Sequence, residues 1–269
     1  MLLFDTHCHL DFPTFDADRE AILAACEQAG VARILLPGVE AAHWNRLQAC
    51  CEGRDGLYPA LGVHPGFVAG HDRSDLERLD ALLSDGKALA VGEIGLDFWV
   101  GRETEKEQIW WLEAQLDLAR AHRLPVLLHV RKAHDQVLKR LRHWQVPRGG
   151  VVHAFSGSTQ QAEQYLALGF RLGVGGGVTY PRAKRLRGQV AQLPLEAWVL
   201  ETDAPDMPLC GCQGQRNRPD LLPRVLASFA SLREESEALV AKILWKNSLE
   251  LLSGAEGAVQ QPKRSPGSQ

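Results

Sequence analysis

Eight short apolar runs alternate along this chain with longer segments that have the hydrophobic spacing of amphipathic helices. Each run is apolar almost without interruption, which is typical of parallel strands covered on both faces. The first run contains Phe4, and the others are Ala32–Val39, Leu57–Val63, Ala88–Ile94, Pro125–Val130, Gly150–Phe155, Phe170–Val174 and Ala197–Glu201. The helical segments are Asp16–Ala29, Ala42–Cys51, Ser74–Ser84, Thr104–His122, Ala133–Trp144, Thr159–Leu168, Arg182–Gln192, Leu221–Leu232 and Glu235–Leu252. This alternation predicts an α/β fold, a (β/α)8 TIM barrel.

An open, doubly wound sheet is the alternative fold. That fold usually has a glycine-rich phosphate turn after its first strand, whereas here the first run ends in Asp5-Thr6-His7-Cys8-His9, so the barrel is favoured. We expect residues 1–253 to form a single barrel domain. Residues 254–269 are rich in Gly, Pro, Ser and Gln without apolar periodicity, which predicts a disordered tail. Thr104 and Glu107 have the spacing of a capping box at the start of a helix.

Charge and composition exclude several classes of protein. Lys and Arg total 30 against 33 Asp and Glu, a net charge of −3, which argues against a strongly basic protein that coats nucleic acid. No apolar run approaches the ~20 residues of a membrane span. The chain reaches an acid at Asp5 without a basic or hydrophobic leader, and six cysteines are too few for a disulfide scaffold. We therefore expect a cytoplasmic protein with free thiols, no membrane association and no obligate protein partner.

Polar residues that suit metal binding collect at the ends of the apolar runs. In a TIM barrel the carboxyl ends of the strands form the active site. The residues at these ends include five of the ten histidines and two carboxylates: His7, His9, His64, His129, His153, Glu93 and Asp203. Side chains alternate along a strand, so His7 and His9 face the same way. Neutral imidazoles with carboxylates suit zinc, manganese or a similar divalent cation.

These residues lie in six motifs that follow one another along the chain. They are Asp5-Thr6-His7-Cys8-His9-Leu10-Asp11, Gly62-Val63-His64-Pro65, Gly92-Glu93-Ile94-Gly95-Leu96-Asp97, Pro125-Val126-Leu127-Leu128-His129-Val130-Arg131, His153-Ala154-Phe155-Ser156-Gly157 and Glu201-Thr202-Asp203-Ala204-Pro205. The set resembles the TatD family of metal-dependent deoxyribonucleases, within the amidohydrolase-like metallo-barrels. Asn217-Arg218-Pro219 extends the similarity over nearly the whole chain before residue 254.

The resemblance implies a site for two divalent cations, such as Zn, Mn or Mg. His7, His9 and Asp203 would hold the first ion, His129 and His153 the second, and Glu93 would bridge the two. A bridging anion makes electrostatic sense, because two nearby dications repel each other. Many related barrels use a carboxylated lysine instead, but the only lysine near these strand ends is Lys132, so Glu93 is the better candidate. Asp203 and Glu93 are the predicted catalytic residues, with Asp203 accepting a proton from the metal-activated water; the alternative for Asp203 is a helix N-cap.

Three side chains are predicted to bind substrate phosphate: His64, Arg131 and Arg218. Ser156 is a weaker candidate, and Asp97 is expected to support the loop after Glu93. Where many relatives have a tyrosine, this chain has Phe98-Trp99, which could stack on a base or pack against the wall. The basic stretch at 182–187 could be a solvated helix face or a nucleic-acid track. Cys210 and Cys212 are assigned to a plain loop.

These observations leave three candidate functions. The resemblance favours a deoxyribonuclease that cleaves phosphodiester bonds with metal-activated water. A pocket at one end of a barrel would accept an end of single-stranded DNA more readily than the middle of a duplex. A hydrolase of a small amide, lactone or ester would use the same two ions. A non-enzymatic metal-holding protein is disfavoured, because structural zinc sites tend to be closed and rich in cysteine. The expected partner is DNA or a small phosphodiester.

Overall fold

The computed structural model describes residues 1–99 and 101–252. Its eight strands form one parallel sheet in which each strand pairs with the next along the chain. The strands are β1 Leu3–Asp5, β2 Val31–Pro37, β3 Leu57–Leu61, β4 Ala90–Asp97, β5 Val126–Arg131, β6 Gly150–Val152, β7 Phe170–Val174 and β8 Trp198–Leu200. All eight predicted strands are present, and the predicted (β/α)8 TIM barrel is confirmed. The predicted tail, 254–269, lies outside the described residues.

The barrel closes where the last strand meets the first. Thr6 follows β1, and both its backbone N–H and its hydroxyl donate to the carbonyl of Leu200, at 3.0 and 2.9 Å. A turn further on, the Asp203 N–H donates to the His7 carbonyl at 2.8 Å. These bonds bring the segments after β1 and β8 together at the carboxyl ends of the strands.

Helices cover the outside of the barrel. They are α1 Arg19–Ala29, α2 Trp44–Cys51, α3 Arg73–Ser84, α4 Glu105–Ala121, α5 His134–Trp144, α6 Thr159–Ala167, α7 Lys184–Gln192, α8 Leu222–Ala230 and α9 Glu237–Leu252. Each matches a predicted helix, with ends displaced by a few residues. The largest displacement is in α1, which begins at Arg19 because residues 16–18 form a turn between it and the 3-10 helix Pro13–Phe15. None of the described helices is both long and apolar enough to cross a bilayer.

The predicted capping box at the start of α4 does not form. Thr104 is the N-cap residue, but its hydroxyl makes no capping bond to the backbone. It accepts a hydrogen bond from the Gln108 side-chain amide at 3.0 Å instead. The Gln108 amide also donates to the Asp97 carbonyl, and its oxygen accepts from the Asp97 N–H at 2.8 Å. Gln108 therefore ties α4 to the end of β4, an interaction that a local motif cannot reveal.

A second glutamine of α4 positions the end of β3. Gln115 is fully buried. Its oxygen accepts from the Val63 N–H at 2.7 Å, and its amide donates to the Val63 carbonyl at 3.1 Å. This pair of bonds fixes the backbone one residue before His64. A helix on the outer layer thus holds a strand end at the mouth of the barrel.

The buried side-chain amide of Asn247 attaches α9 to β8. Asn247 donates to the carbonyls of Leu195 and Trp198, both at 2.8 Å. Both oxygens lie inside the protein, where water cannot replace the lost donor. The amide therefore anchors the helix to the strand that closes the barrel.

We expect Asn247→Ala to lower the free energy of unfolding by about 2 kcal/mol, because two buried carbonyls lose a donor. Urea denaturation measures the change. Gln28→Ala is the matched control: Gln28 is exposed on α1, and its loss should change the stability by no more than ~0.5 kcal/mol. Equal midpoints for the two variants would contradict the anchoring role of Asn247.

Candidate metal centre

Two histidines that follow β1, Glu93 of β4 and Asp203, which follows β8, converge at the mouth of the barrel. The Nε2 atoms of His7 and His9 lie 3.3 and 3.8 Å from Glu93 Oε2. Both also lie 3.7 Å from Asp203 Oδ1. Neither ring nitrogen of His7 has a hydrogen-bond partner in the described structure, although both are buried. An orphaned buried nitrogen facing two carboxylates is a donor set that fits a divalent cation.

The two oxygens of Glu93 face different groups of histidines. Oε2 faces His7 and His9, whereas Oε1 lies 2.9 Å from His129 Nδ1 and 3.7 Å from His64 Nε2. The side chain is almost fully buried. Burial would raise the pKa of Glu93, but His7 and His64 hold it well below its usual range. The carboxylate is therefore an anion placed between two imidazole clusters, as a bridging ligand would have to be.

His153, which directly follows β6, is the last histidine of the centre. Its Nε2 lies 3.6 Å from Asp203 Oδ2, and its ring stacks on His7 with the ring centres 3.7 Å apart. The described residues contain three groups that could hold an ion, which are His7-His9-Glu93, His64-Glu93-His129 and His7-His153-Asp203. The sequence placed His129 and His153 on one ion. Their ring centres are 6.4 Å apart, and their sharing of an ion stays a prediction.

Two further carboxylates, which the sequence did not identify as partners of the histidines, contact His153 and His129. Glu201 Oε1 lies 3.0 Å from His153 Nδ1, and Asp97 Oδ2 lies 2.9 Å from His129 Nε2. Such carboxylates fix the orientation of a ligand imidazole and increase its basicity. Asp97 was expected to support its own loop, and it does accept from the Trp99 N–H, but it also orients His129. The feature of the sequence that could have pointed to Glu201 is its position two residues before Asp203, directly after an apolar strand.

Glu201 occupies space that a glycine leaves open. A Cβ atom at Gly173, on β7, would lie 2.2 Å from Glu201 Oε2. Any side chain at this position would therefore displace the carboxylate that orients His153. The glycine is part of the site although it carries no functional group.

A third acidic side chain, that of Asp5, accepts hydrogen bonds from the segments that carry His7 and Asp203. Asp5 Oδ1 accepts from the N–H groups of His7 and Thr202, and Oδ2 accepts from the Thr202 hydroxyl at 2.5 Å. Burial raises the pKa of Asp5 to about 8. Asp203, the residue after Thr202, has a φ of +57°, a left-handed conformation that is uncommon outside glycine. Asp5 thus holds the turn that aims Asp203 at the histidines.

Burial shifts the protonation of the converging side chains. It raises the pKa of Asp203 to about 6 and lowers that of His9 to about 3. Burial alone would also lower the pKa of His153, but Glu201 and Asp203 raise it to about 10. A carboxyl group with a pKa near 6 can accept a proton close to neutral pH.

His64 faces the site with a hydrogen-bond donor. Its Nδ1 accepts from the Gly66 N–H at 3.0 Å, so in the neutral ring Nε2 carries the proton. Burial lowers the pKa of His64 to about 4, so the ring is neutral at pH 7. A metal ligand would need an unprotonated nitrogen. The arrangement favours the predicted role of His64 as a donor over a role as a ligand.

The two predicted arginines have different surroundings. Arg131 is half exposed, with Nη1 3.7 Å from Asp97 Oδ2 and its guanidinium 5.0 Å from the Trp99 ring centre. Arg218 forms a two-bond ion pair with Asp220, at 2.8 and 2.7 Å. Arg131 therefore lies beside the residues that orient His129, whereas Arg218 is already paired. The Lys132 amine lies over the Trp99 ring at 4.9 Å, which does not place it among the imidazoles.

Comparisons with known proteins bear on the whole barrel. A sequence model of TatD related DNases matches residues 4–253. The uncharacterized metal-dependent hydrolase YjjV of Escherichia coli is 47% identical over 93% of this chain and 97% of its own length. The crystal structure of that TatD homologue has a TM-score of 0.90 to this chain over the same shares. A protein of Klebsiella pneumoniae named 3'-5' ssDNA/RNA exonuclease TatD is 34% identical over 89% of this chain and 94% of its own.

The family model covers nearly all of the described residues, and two relatives exceed 30% identity over most of both chains. The expected family resemblance is thereby confirmed, together with the expectation of a metal-dependent hydrolase. The chain belongs to the TatD related DNase family.

Proposed function

We propose that this chain is a divalent-metal-dependent nuclease that shortens single-stranded DNA from an end. The observation that carries the proposal is Glu93, whose two oxygens face two separate groups of imidazoles. Two-ion centres of this kind serve in-line displacement at phosphorus. A relative that is 34% identical is named a 3'-5' exonuclease of single-stranded DNA and RNA, which supports the substrate class and suggests attack at the 3' end.

The residues would divide between two ions. His7, His9 and Asp203 would hold the first, His129 and His153 the second, and Glu93 would contact both. Bound divalent cations supply a nucleophile from water at neutral pH and offset the charge that develops on the phosphate oxygens. Zn, Mn and Mg all remain candidates for such mixed nitrogen and oxygen ligands.

The chain's own side chains would handle the proton and the phosphate. Asp203 accepts the proton of the attacking water on its carboxylate, which lies 3.7 Å from both His7 Nε2 and His9 Nε2. The protonated Nε2 of His64 donates to a non-bridging phosphate oxygen. Arg131, at the rim beside Trp99, contacts the next phosphate along the strand, and the exposed indole offers a surface on which a base can stack. Arg218 acts only if its pair with Asp220 opens.

A cytoplasmic location agrees with the thiols. All six cysteines are free, as in proteins of reducing compartments. We propose no role for Cys210 and Cys212 in the reaction. Hydrolysis of a small amide, lactone or ester by the same centre is the competing function, and the substrate test below distinguishes it.

The bridging position of Glu93 predicts two ions per chain. Elemental analysis after loading and desalting should approach two divalent ions for the wild type. Glu93→Ala should lower the occupancy at both positions, because each ion loses a ligand. Glu77→Ala, which removes an exposed carboxylate on α3, is the control and should retain the full content. A wild type that saturates at one ion would refute the bridge.

The proton-accepting role of Asp203 predicts a selective loss of rate. Asp203→Asn should bind single-stranded DNA but lose ~10²–10⁴-fold in kcat, the usual contribution of general base catalysis. Metal content must be measured on the same sample, because the carboxylate is also a proposed ligand. Near-normal turnover in a fully loaded variant would remove Asp203 from the mechanism.

Attack at an end predicts that a circle resists hydrolysis. Three single strands of one sequence are compared: a linear strand blocked at its 5' end, one blocked at its 3' end and a closed circle. We expect the 5'-blocked strand to shorten and the other two to persist. Equal cleavage of the circle would indicate an endonuclease. No cleavage of any strand, together with turnover of a lactam or ester, would favour the competing function.

A further inference from the structure

A pair of adjoining cavities lies beside the proposed metal centre, under the loop that follows β7. Their volumes are about 320 and 370 Å³, and they share Gly177, Arg182, Ala183 and Met207 in their walls. The cavity of about 320 Å³ also contacts Lys184 and Arg185, at the start of α7. In TIM barrels the loops after strands seven and eight are frequent phosphate sites. The cavities therefore occupy a part of the fold suited to anions.

Three cations line the cavities without a compensating acid. Arg182, Lys184 and Arg185 are exposed, and none forms an ion pair with a carboxylate among the residues that the structure describes. Arg187, in contrast, is half-buried and donates to the Val178 carbonyl, and Leu186 packs against the core. Leu186 and Arg187 therefore make contacts within the fold, whereas Arg182, Lys184 and Arg185 present their charges to the cavities.

The cationic loop is held in place by its neighbours. The Arg182 guanidinium lies 4.9 Å from the ring centre of Tyr180. The Tyr180 hydroxyl donates to the Pro208 carbonyl at 2.7 Å, which ties this loop to the one after β8. On the other side, Arg185 donates to the Ser156 carbonyl at 2.5 Å. Arg182 and Arg185 are therefore held in position before a ligand binds, which reduces the entropy lost on binding.

The inner wall of the cavity that contacts Lys184 and Arg185 is formed by the same strand ends as the metal centre. Ala154 lines it and directly follows His153, and its N–H donates to Glu201 Oε1 at 2.7 Å. Met207, in the same wall, lies four residues after Asp203. A polymer whose scissile phosphate is bound by the histidines can reach these cavities with its neighbouring nucleotides.

We propose that these cavities form a subsite for the sugar–phosphate backbone of single-stranded nucleic acid, with Arg182 and Lys184 as its phosphate contacts. The inference rests on the proposed function and extends it from the cleaved bond to the rest of the strand. The separate cations in this row, beside half-buried Tyr180, suit a sugar–phosphate backbone that continues past the site. Ser156, a weak phosphate candidate in the sequence, has its carbonyl committed to Arg185.

The test compares two double variants with the same change in charge. Arg182→Gln/Lys184→Gln removes the proposed contacts. Lys87→Gln/Arg123→Gln removes two exposed cations that precede β4 and β5, at the opposite end of the barrel. Binding of the metal-loaded proteins to a fluorescein-labelled, phosphorothioate oligothymidylate of roughly 12 nucleotides is followed by anisotropy over a range of salt concentrations. Hydrolysis of a small phosphodiester dye is measured in parallel.

We expect the first variant to bind the oligonucleotide roughly 20-fold more weakly than the control variant at ~0.1 M salt. The slope of log affinity against log salt should fall by about 1.4, because each phosphate contact on a single strand contributes ~0.7. Turnover of the small dye should stay at the wild-type value, because that substrate does not reach the cavities.

Equal affinities for the two variants, or no oligonucleotide binding by the wild type, would overturn the subsite. Loss of dye turnover in the first variant would do the same, because it would show damage to the metal centre. The proposed function fails separately: a wild type that hydrolyses no phosphodiester but whose binding still depends on Arg182 and Lys184 would keep the subsite and refute the nuclease.

Discussion

The buried carboxylate of Glu93 is the interaction on which the candidate site depends. Its oxygens face two clusters of imidazoles, and in the first cluster neither ring nitrogen of His7 has a hydrogen-bond partner among the described residues. An isolated buried anion is costly, so the clusters and the carboxylate stabilise one another. The barrel makes this possible, because it brings the carboxyl ends of eight strands to one opening and lets residues distant in sequence approach within 4 Å.

Around that anion lie three further acidic side chains that contact the histidines or the backbone next to them. Asp97 orients His129, Glu201 orients His153, and Asp5 holds the turn that presents Asp203. Each is fixed by groups outside the centre, such as the bond from Gln108 to the backbone of Asp97. Two buried glutamines of the outer helix α4 therefore hold the backbone at Asp97 and next to His64.

Much of the fold and of the candidate ligand set could be predicted from the sequence. Buried strands read as apolar runs, and histidines that interrupt such runs at their ends stand out, as His7, His64 and His129 do. The partners of side chains could not be predicted, because they depend on distant elements: Thr104 bonds to Gln108 and not to a capping backbone, and Arg218 pairs with Asp220. The contacts of Glu201 with His153 and of Asp97 with His129 were not predicted for the same reason. The alternation of side chains along one strand predicts which way each side chain points, but it does not predict its distance from a side chain on another strand.

The closure of the barrel between β1 and β8 has a consequence for synthesis of the protein. His7 and His9 directly follow the first strand, whereas Asp203, which faces both, follows the last. A chain emerging from the ribosome therefore carries these histidines early and gains Glu93 with the fourth strand, but it gains Asp203 only after all eight strands have been made. A product that is truncated before β8 lacks the carboxylate that faces His7, His9 and His153. The order of synthesis thus reserves the complete set of proposed ligands for the finished barrel.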